Sequence, residues 1–261
     1  MELKNRIIED LKSLGVKRGD KLIVHASFKS FGYSNLTMCE VIDALKEAVG
    51  SEGTLMFPTF TYDYVNELSP VFDVRTTRSC VGAMPEYFRK CDGVIRSIHP
   101  THSVAVWGNN KEWYVENHHK DQVAVGNNSP LIKLKDTGGK ILMIGCGITH
   151  NTLIHGVEDF IRPPYVYNID YSLPKYHREF VCIDENDNIY RQEFFVAFAC
   201  VYDYIQRFDR LRFLMPIQKG KILKAESYIM NAKDVWDVAV EKMKEDPFYF
   251  VEYENKPTKL Y

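Results

Sequence analysis

Two ionisable side chains three residues apart, His155 and Glu158, stand in the segment T-H-N-T-L-I-H-G-V-E-D-F at 149–160. On a helix that spacing brings them to one face. A carboxylate beside an imidazole fixes its tautomer and raises its basicity, which a general base needs in order to take a proton from an attacking amine. The same spacing also describes a surface ion pair or a histidine satisfied in a core. Position separates these readings. The segment follows the apolar run at 140–145 through Gly145 and Gly147, and sites in α/β sheets gather beyond the carboxyl ends of strands.

Two further clusters have the right chemistry. In R-S-I-H-P-T-H-S at 96–103, Arg96 with the amides of Ser97 and Ile98 suits a phosphate, and His99 or His102 can face an acceptor. A polar turn capped by hydroxyls reads the same. His99 and His102 form an H-x-x-H pair, but a zinc site wants a third and fourth ligand that the chain does not offer nearby, so no metal is expected. In H-A-S-F-K-S-F-G at 25–32, the stretch from Ser27 through Phe28, Lys29, Ser30 and Phe31 to Gly32 lies between a strand and a helix. Such a loop can turn amides toward a pyrophosphate, although an ordinary βα loop looks no different. Cys146, in the glycine-rich turn before His155, is a conceivable acyl-carrying nucleophile.

These clusters need elements to hold them. Leu3, Ile7, Leu11 and Leu14 mark a helix over 3–14, and Gly15 stops it. A strand follows at 21–26. Thr37 with Glu40 spells a capping box, and Val41, Ile42, Leu45 and Val49 give the apolar stripe of the next helix. A strand at 54–57 then implies a parallel pair with a right-handed crossover. Helices are expected at 83–91 and 110–117, and another starting at Ser129-Pro130. Strands are expected at 103–107 and 140–145, the latter followed by a helix capped by Thr149 or Asn151. Antiparallel strands over 164–196 around a turn at 184–188 and helices near 198–212 and 232–245 complete the chain. The fold class is α/β: a central mixed sheet flanked by helices, with parallel βαβ crossovers in the N-terminal part and antiparallel strands in the C-terminal part. One domain spans 1–261.

Composition excludes several classes. With 45% hydrophobic and 26% charged residues the chain can bury a core, so disorder is not expected. A net charge of -2 without basic runs argues against a nucleic-acid surface. No stretch approaches the ~20 apolar residues of a spanning helix, and the charged start Met1 to Asp10 is not a signal peptide. The six scattered cysteines (Cys39, Cys80, Cys91, Cys146, Cys182, Cys200) read as free thiols of a cytoplasmic protein.

Taken in order, the segments resemble the aminoglycoside 3-N-acetyltransferases and their relatives. The matching pieces are G-D-x-L-I-V-H-A-S at 19–27, I-D-A-L-K-E-A-V-G-x-E-G-T-L at 42–55, P-T at 58–59 and G-A-M-P-E-Y-F-R at 82–89. R-S-x-H-P at 96–100, V-A-V-W-G at 104–108, S-P-L at 129–131, G-G-K-I-L-M-I-G at 138–145 and N-T-x-x-H-x-x-E at 151–158 continue the series. The resemblance implies direct acetyl transfer from acetyl-CoA to the amine of an amino sugar. It implies that His155 is the base and Glu158 its partner, and that 27–31 and 96–98 hold CoA. Residues 1–160 would form the CoA-binding and catalytic part, and 161–261 would complete the sheet and the acceptor pocket. Amides near Ser27–Phe31 are the expected oxyanion donors. His25, Thr59, Tyr62, Asp63, Arg75, Arg78, His99 and His102 are expected around the acceptor. Because 60–80 pairs tyrosines and arginines with few acids, a nucleotide-linked amino sugar for surface glycans is expected over a polycationic aminoglycoside. Expected partners are small molecules, with a homo-oligomer conceivable. A non-catalytic relative that binds CoA or sugar is the remaining alternative.

Overall fold

The β-rich run Lys21–Ala26 lies at the centre of the molecule as β1. The computed structural model describes residues 2–167, 177–195 and 204–252. The N-terminal half contains α1 (Glu2–Ser13), β1, α2 (Met38–Val49), β2 (Thr54–Pro58), β3 (Val71–Asp73), α3 (Ala83–Phe88), β4 (Ile95–Arg96), β5 (Val104–Gly108), α4 (Lys111–Val115), α5 (Pro130–Asp136) and β6 (Lys140–Ile144). The rest supplies α6 (Leu153–Ile161), α7 (Pro164–Tyr167), β7 (His177–Ile183), β8 (Ile189–Phe195), β9 (Ile205–Gln206), β10 (Gln218–Ile222), β11 (Ala225–Asn231), α8 (Ala232–Glu245) and β12 (Val251–Glu252).

Among the described residues a seven-stranded sheet runs β10-β11-β6-β1-β2-β5-β4. β1 is parallel to both β2 and β6, while β5, β4, β11 and β10 join antiparallel. The mixed α/β sheet expected from the sequence is therefore present. The Thr37–Glu40 capping box closes the start of α2, and Ser129 caps α5 with Pro130 in its first turn.

Side-chain alternation along the strands divides the core. Leu22, Val24, Leu142 and Ile144 face α1 and α2, whereas Ile23, Ile141 and Met143 face the side packed by α5, α6 and α8. The same alternation puts His25, paired in register with Met143, on the α6 side.

The C-terminal half departs from expectation in two ways. The hairpin β7–β8 does not extend the main sheet; it pairs with β3 in a separate three-stranded sheet over its own apolar cluster. The helix expected near 198–212 is replaced at 204–212 by β9 and a 3₁₀ turn, Phe208–Phe213, because Phe208 and Leu211 are drawn into the core beside α8. The remainder of that helix, 198–203, and the part of the expected strands at 168–176 lie outside the described residues, as does Cys200. No described helix is long and apolar enough to cross a membrane.

Gly145, which ends β6, has φ +65° and would set a Cβ 1.8 Å from Ser30 Oγ. Gly145→Ala should destabilise the protein by the ~1–2 kcal/mol of a left-handed non-glycine residue and more from the clash. In urea titrations Ser30→Gly added to it should recover the clash portion; strict additivity of the two changes would sink this account.

Candidate active site

The turn after β6 carries the chain through Gly147, at φ +75°, into a 3₁₀ turn and then α6. Leu153, Ile154 and Val157 bury one stripe of α6 against α5 and α8. The cap position of α6 is Thr152, whose side chain caps nothing, and neither Thr149 nor Asn151 as expected; the buried Asn151 Oδ1 just before it accepts from the Leu153 amide at 3.2 Å.

His155 Nδ1 lies 2.6 Å from Glu158 Oε2, and Tyr165 donates its hydroxyl to Glu158 Oε1 at 2.7 Å. Glu158 is 1% exposed. Burial works against charge on His155, but the adjoining Glu158 carboxylate outweighs it, and the imidazole is held above its ordinary pKa. With Nδ1–H donated to the carboxylate, Nε2 carries the lone pair. The spacing expected to unite His155 and Glu158 does so, while Tyr165, on α7, had no signal in the sequence. Asp159 is bound by the Val125 amide at 3.0 Å and by the Tyr167 hydroxyl, and burial pushes its carboxyl up to about 6.

His155 stands where two cavities meet. One, of about 240 Å³, is lined by His25, Ala26, Cys146, Thr149, His150 and neighbouring residues at the carboxyl ends of β1 and β6. The other, of about 480 Å³, has Asn66, Glu67, Arg178, Phe180 and Phe194 in its walls. Tyr62, His102, His155 and Gln206 belong to both. Glu67 is the carboxylate in these walls among the described residues, and it is already paired with Arg178. Gln206, Phe208 and Arg178 were not singled out from the sequence. They arrive from distant segments, and nothing in local spacing announces them.

Several expected site residues serve the architecture instead. Arg96 is buried, and each guanidinium nitrogen has a protein acceptor: Nε meets Thr59 Oγ1 and Ser103 Oγ, one Nη meets the Val74 and Thr77 carbonyls, and the other the Thr59 carbonyl. Burial lowers its pKa to about 9, and Arg96 lines neither cavity. Thr59, fully buried, is spent on Ser103 and Arg96. Ser97 takes the Val104 amide and faces His118 Nδ1 at 2.8 Å, while Ile98 packs on the cluster around Phe72. His99 is sealed: its Nδ1 accepts the His102 amide at 2.8 Å and its Nε2 faces the Val123 carbonyl at 3.1 Å. Phe31 is a core residue. Arg75 is tied to Asp73 and Asp187, and Arg75, Arg78 and Asp63 are exposed and line neither cavity.

His25, Tyr62 and His102 do line the cavities. Burial drives His25 down to about 3, with the charge of His150 adding to it. Ser27, Phe28 and Ser30 are half-buried and Lys29 is exposed, just past Ala26 of the smaller cavity. The Ser27 amide is spent on the Ile144 carbonyl and the Ser30 amide on the Ser27 carbonyl. Burial raises the Cys146 thiol to about 11, which leaves little thiolate for covalent chemistry. Among the described residues no cluster of three or more His, Cys, Asp or Glu side chains suits a metal.

Residues 23–244 match the family model described as aminoglycoside 3-N-acetyltransferase. The chain is 32% identical over 192 residues to the SPbeta prophage-derived aminoglycoside N(3')-acetyltransferase-like protein YokD of Bacillus subtilis, covering 66% of this chain and 69% of that one. It is 28% identical over 266 residues to aminoglycoside N(3)-acetyltransferase VII of Streptomyces paromomycinus, covering 93% and 91%. In fold it resembles the apoenzyme of aminoglycoside acetyltransferase AAC(3)-IVa, with TM-score 0.77, 23% identity and coverage of 98% and 92%. It also resembles AAC-IIIb in its binary complex with CoASH, with TM-score 0.73, 23% identity and coverage of 97% and 98%.

If Glu158 sustains the basicity of His155, Glu158→Gln should lower the His155 pKa, because the carboxylate that favours the imidazolium is gone. An NMR titration of the His155 ring that gives the same value in both proteins would overturn the pairing.

Proposed function

Since the chain belongs to the aminoglycoside 3-N-acetyltransferase family and is an acetyl-CoA-dependent acyltransferase acting on an amino sugar, we propose that its acceptor is an aminoglycoside, acylated at the 3-amino group with His155 as general base. The observation that carries this reading is the position of His155 at the meeting of two cavities, with Glu158 behind it. The smaller cavity, beside 27–30, would take the thioester end of acetyl-CoA. The larger would take the sugar, with residues beyond 161 (Arg178, Phe180, Phe194 and Gln206) forming much of its wall. The names of the relatives favour an aminoglycoside. The nucleotide-linked alternative leaned on the tyrosines, on Arg75 and Arg78 and on the few acids of 60–80; the two arginines line neither cavity, while Tyr62 lines both.

The mechanism follows from the tautomer. The acceptor enters as the neutral amine, its ammonium proton having gone to solvent, and His155 Nε2 takes one N–H proton as the nitrogen attacks. The nitrogen lone pair forms the C–N bond while the thioester π pair moves onto oxygen. On collapse the pair returns, the C–S bond breaks, and the proton held by His155 passes to the leaving thiolate. Glu158 stabilises the imidazolium between these steps, and the Tyr165 hydroxyl orients the carboxylate. A raised pKa suits this exchange, since the ring must both accept the proton and give it back.

CoA release should be followed with a thiol reagent, using an aminoglycoside bearing a free 3-amino group and, separately, nucleotide-linked amino sugars. Turnover with the aminoglycoside supports the proposal; turnover only with the nucleotide-linked sugars defeats the acceptor assignment. His155→Ala should lower kcat at least ~100-fold, the scale of a lost general base, while acetyl-CoA binding stays close to the parent's. Cys146→Ser should stay close to parental activity; an inactive Cys146→Ser protein that still folds would restore the covalent alternative.

A further inference from the structure

The oxyanion formed during acyl transfer needs a hydrogen-bond donor, and the amides of Ser27 and Ser30 are committed to carbonyls of the protein. A side-chain donor stands on the other wall. Among the described residues, His102 and His155 are the two histidines that line both cavities. The His102 backbone is fixed by its amide, which donates to His99 Nδ1 at 2.8 Å. Its ring packs on Phe60 with centroids 4.7 Å apart and lies 6.0 Å from Tyr62.

The neighbouring hydroxyl defines which nitrogen carries the proton. Thr101 Oγ1 lies 2.8 Å from His102 Nδ1. Thr101 is buried at the edge of the larger cavity, and Nδ1 is the hydrogen-bond partner recorded for its hydroxyl among the described residues. With the Thr101 hydroxyl assigned as the donor, the hydrogen of His102 sits on Nε2. That atom, unlike the Nε2 atoms of His25 and His118, is not among the sealed, unpartnered side-chain atoms, so it opens onto the cavity. Burial keeps the ring neutral, and protonation of the nearby His155 adds to that. It therefore donates without competing for the proton that His155 handles.

We propose that His102 is a second catalytic residue, whose Nε2–H donates to the thioester carbonyl oxygen as that oxygen gains charge. The inference rests on the acyl-transfer reading. Thr101 is a positioning residue: it sets the tautomer that makes His102 a donor.

The test is steady-state CoA release by His102→Phe, His102→Gln and Thr101→Val, with thermal melts to verify folding. His102→Phe keeps a ring against Phe60 but removes the donor. It should cut kcat ~100–1,000-fold with little change in the KM for acetyl-CoA. Glutamine, which keeps an N–H near Nε2, should recover at least ~10-fold of that loss, and Thr101→Val should lower kcat with KM held. The Gln and Val variants carry the test if the Phe variant does not fold. A folded His102→Phe protein with parental kcat, or one changed only in KM, overturns the proposal and leaves the acyl-transfer reading standing. A parent that releases no CoA with any acceptor amine overturns both.

Discussion

A carboxylate removed from water is tolerable only when donors meet it, and at Glu158 two do. His155 meets one oxygen and Tyr165 the other. Much of the local architecture follows from that requirement. The chain leaves α6 through Arg162 at φ +57° so that α7 can bring Tyr165 back over Glu158. Asp159, the next residue, is held from the other side by Tyr167 and the Val125 amide. Two adjacent acids thus fasten the end of α6 to segments before and after it, and the ring of His155 is fixed as a result.

The histidines divide by what their nitrogens face. His99 and His118 are sealed in the interior, where burial keeps them neutral and their nitrogens organise the turn around Pro100. His155 has a carboxylate for a neighbour and is the one in this buried group whose pKa moves upward. His102 lies between: its backbone belongs to the same turn, while its ring reaches the space in front of His155. Arg96 shows how the turn is held, since its buried guanidinium draws the carbonyls of Thr59, Val74 and Thr77 together. A cation spent in this way anchors loops and cannot also meet a phosphate.

The larger cavity has a different character. Phe180 and Phe194 supply apolar wall, and the Glu67–Arg178 pair leaves little net charge among the described residues. These groups come from the β3–β7–β8 sheet and the loop leading into it, separate from the seven-stranded sheet whose β6 leads toward α6 and His155.

The sequence by itself determined what depends on near neighbours. The helical stripes, the Thr37–Glu40 box, Ser129-Pro130, the parallel β1–β2 pair and the meeting of His155 with Glu158 all follow from spacings of a few residues, where backbone geometry leaves little choice. Its ordered motifs also carried the family. Tertiary structure decided what depends on burial and on contacts between remote segments. Arg96, Thr59 and His99 have the residue types of a binding site, and the closing of the sheet turned them inward, where their polar groups had to be satisfied by the protein. Tyr165, Gln206 and Arg178 reach the site only because α7, β9 and β7 fold back over it. The separate hairpin sheet arose because β3 offered a partner that no local pattern reveals. Local pattern fixes which groups can meet along one element; whether a polar side chain faces a substrate or the interior is decided by where water is excluded, and that is a property of the assembled fold.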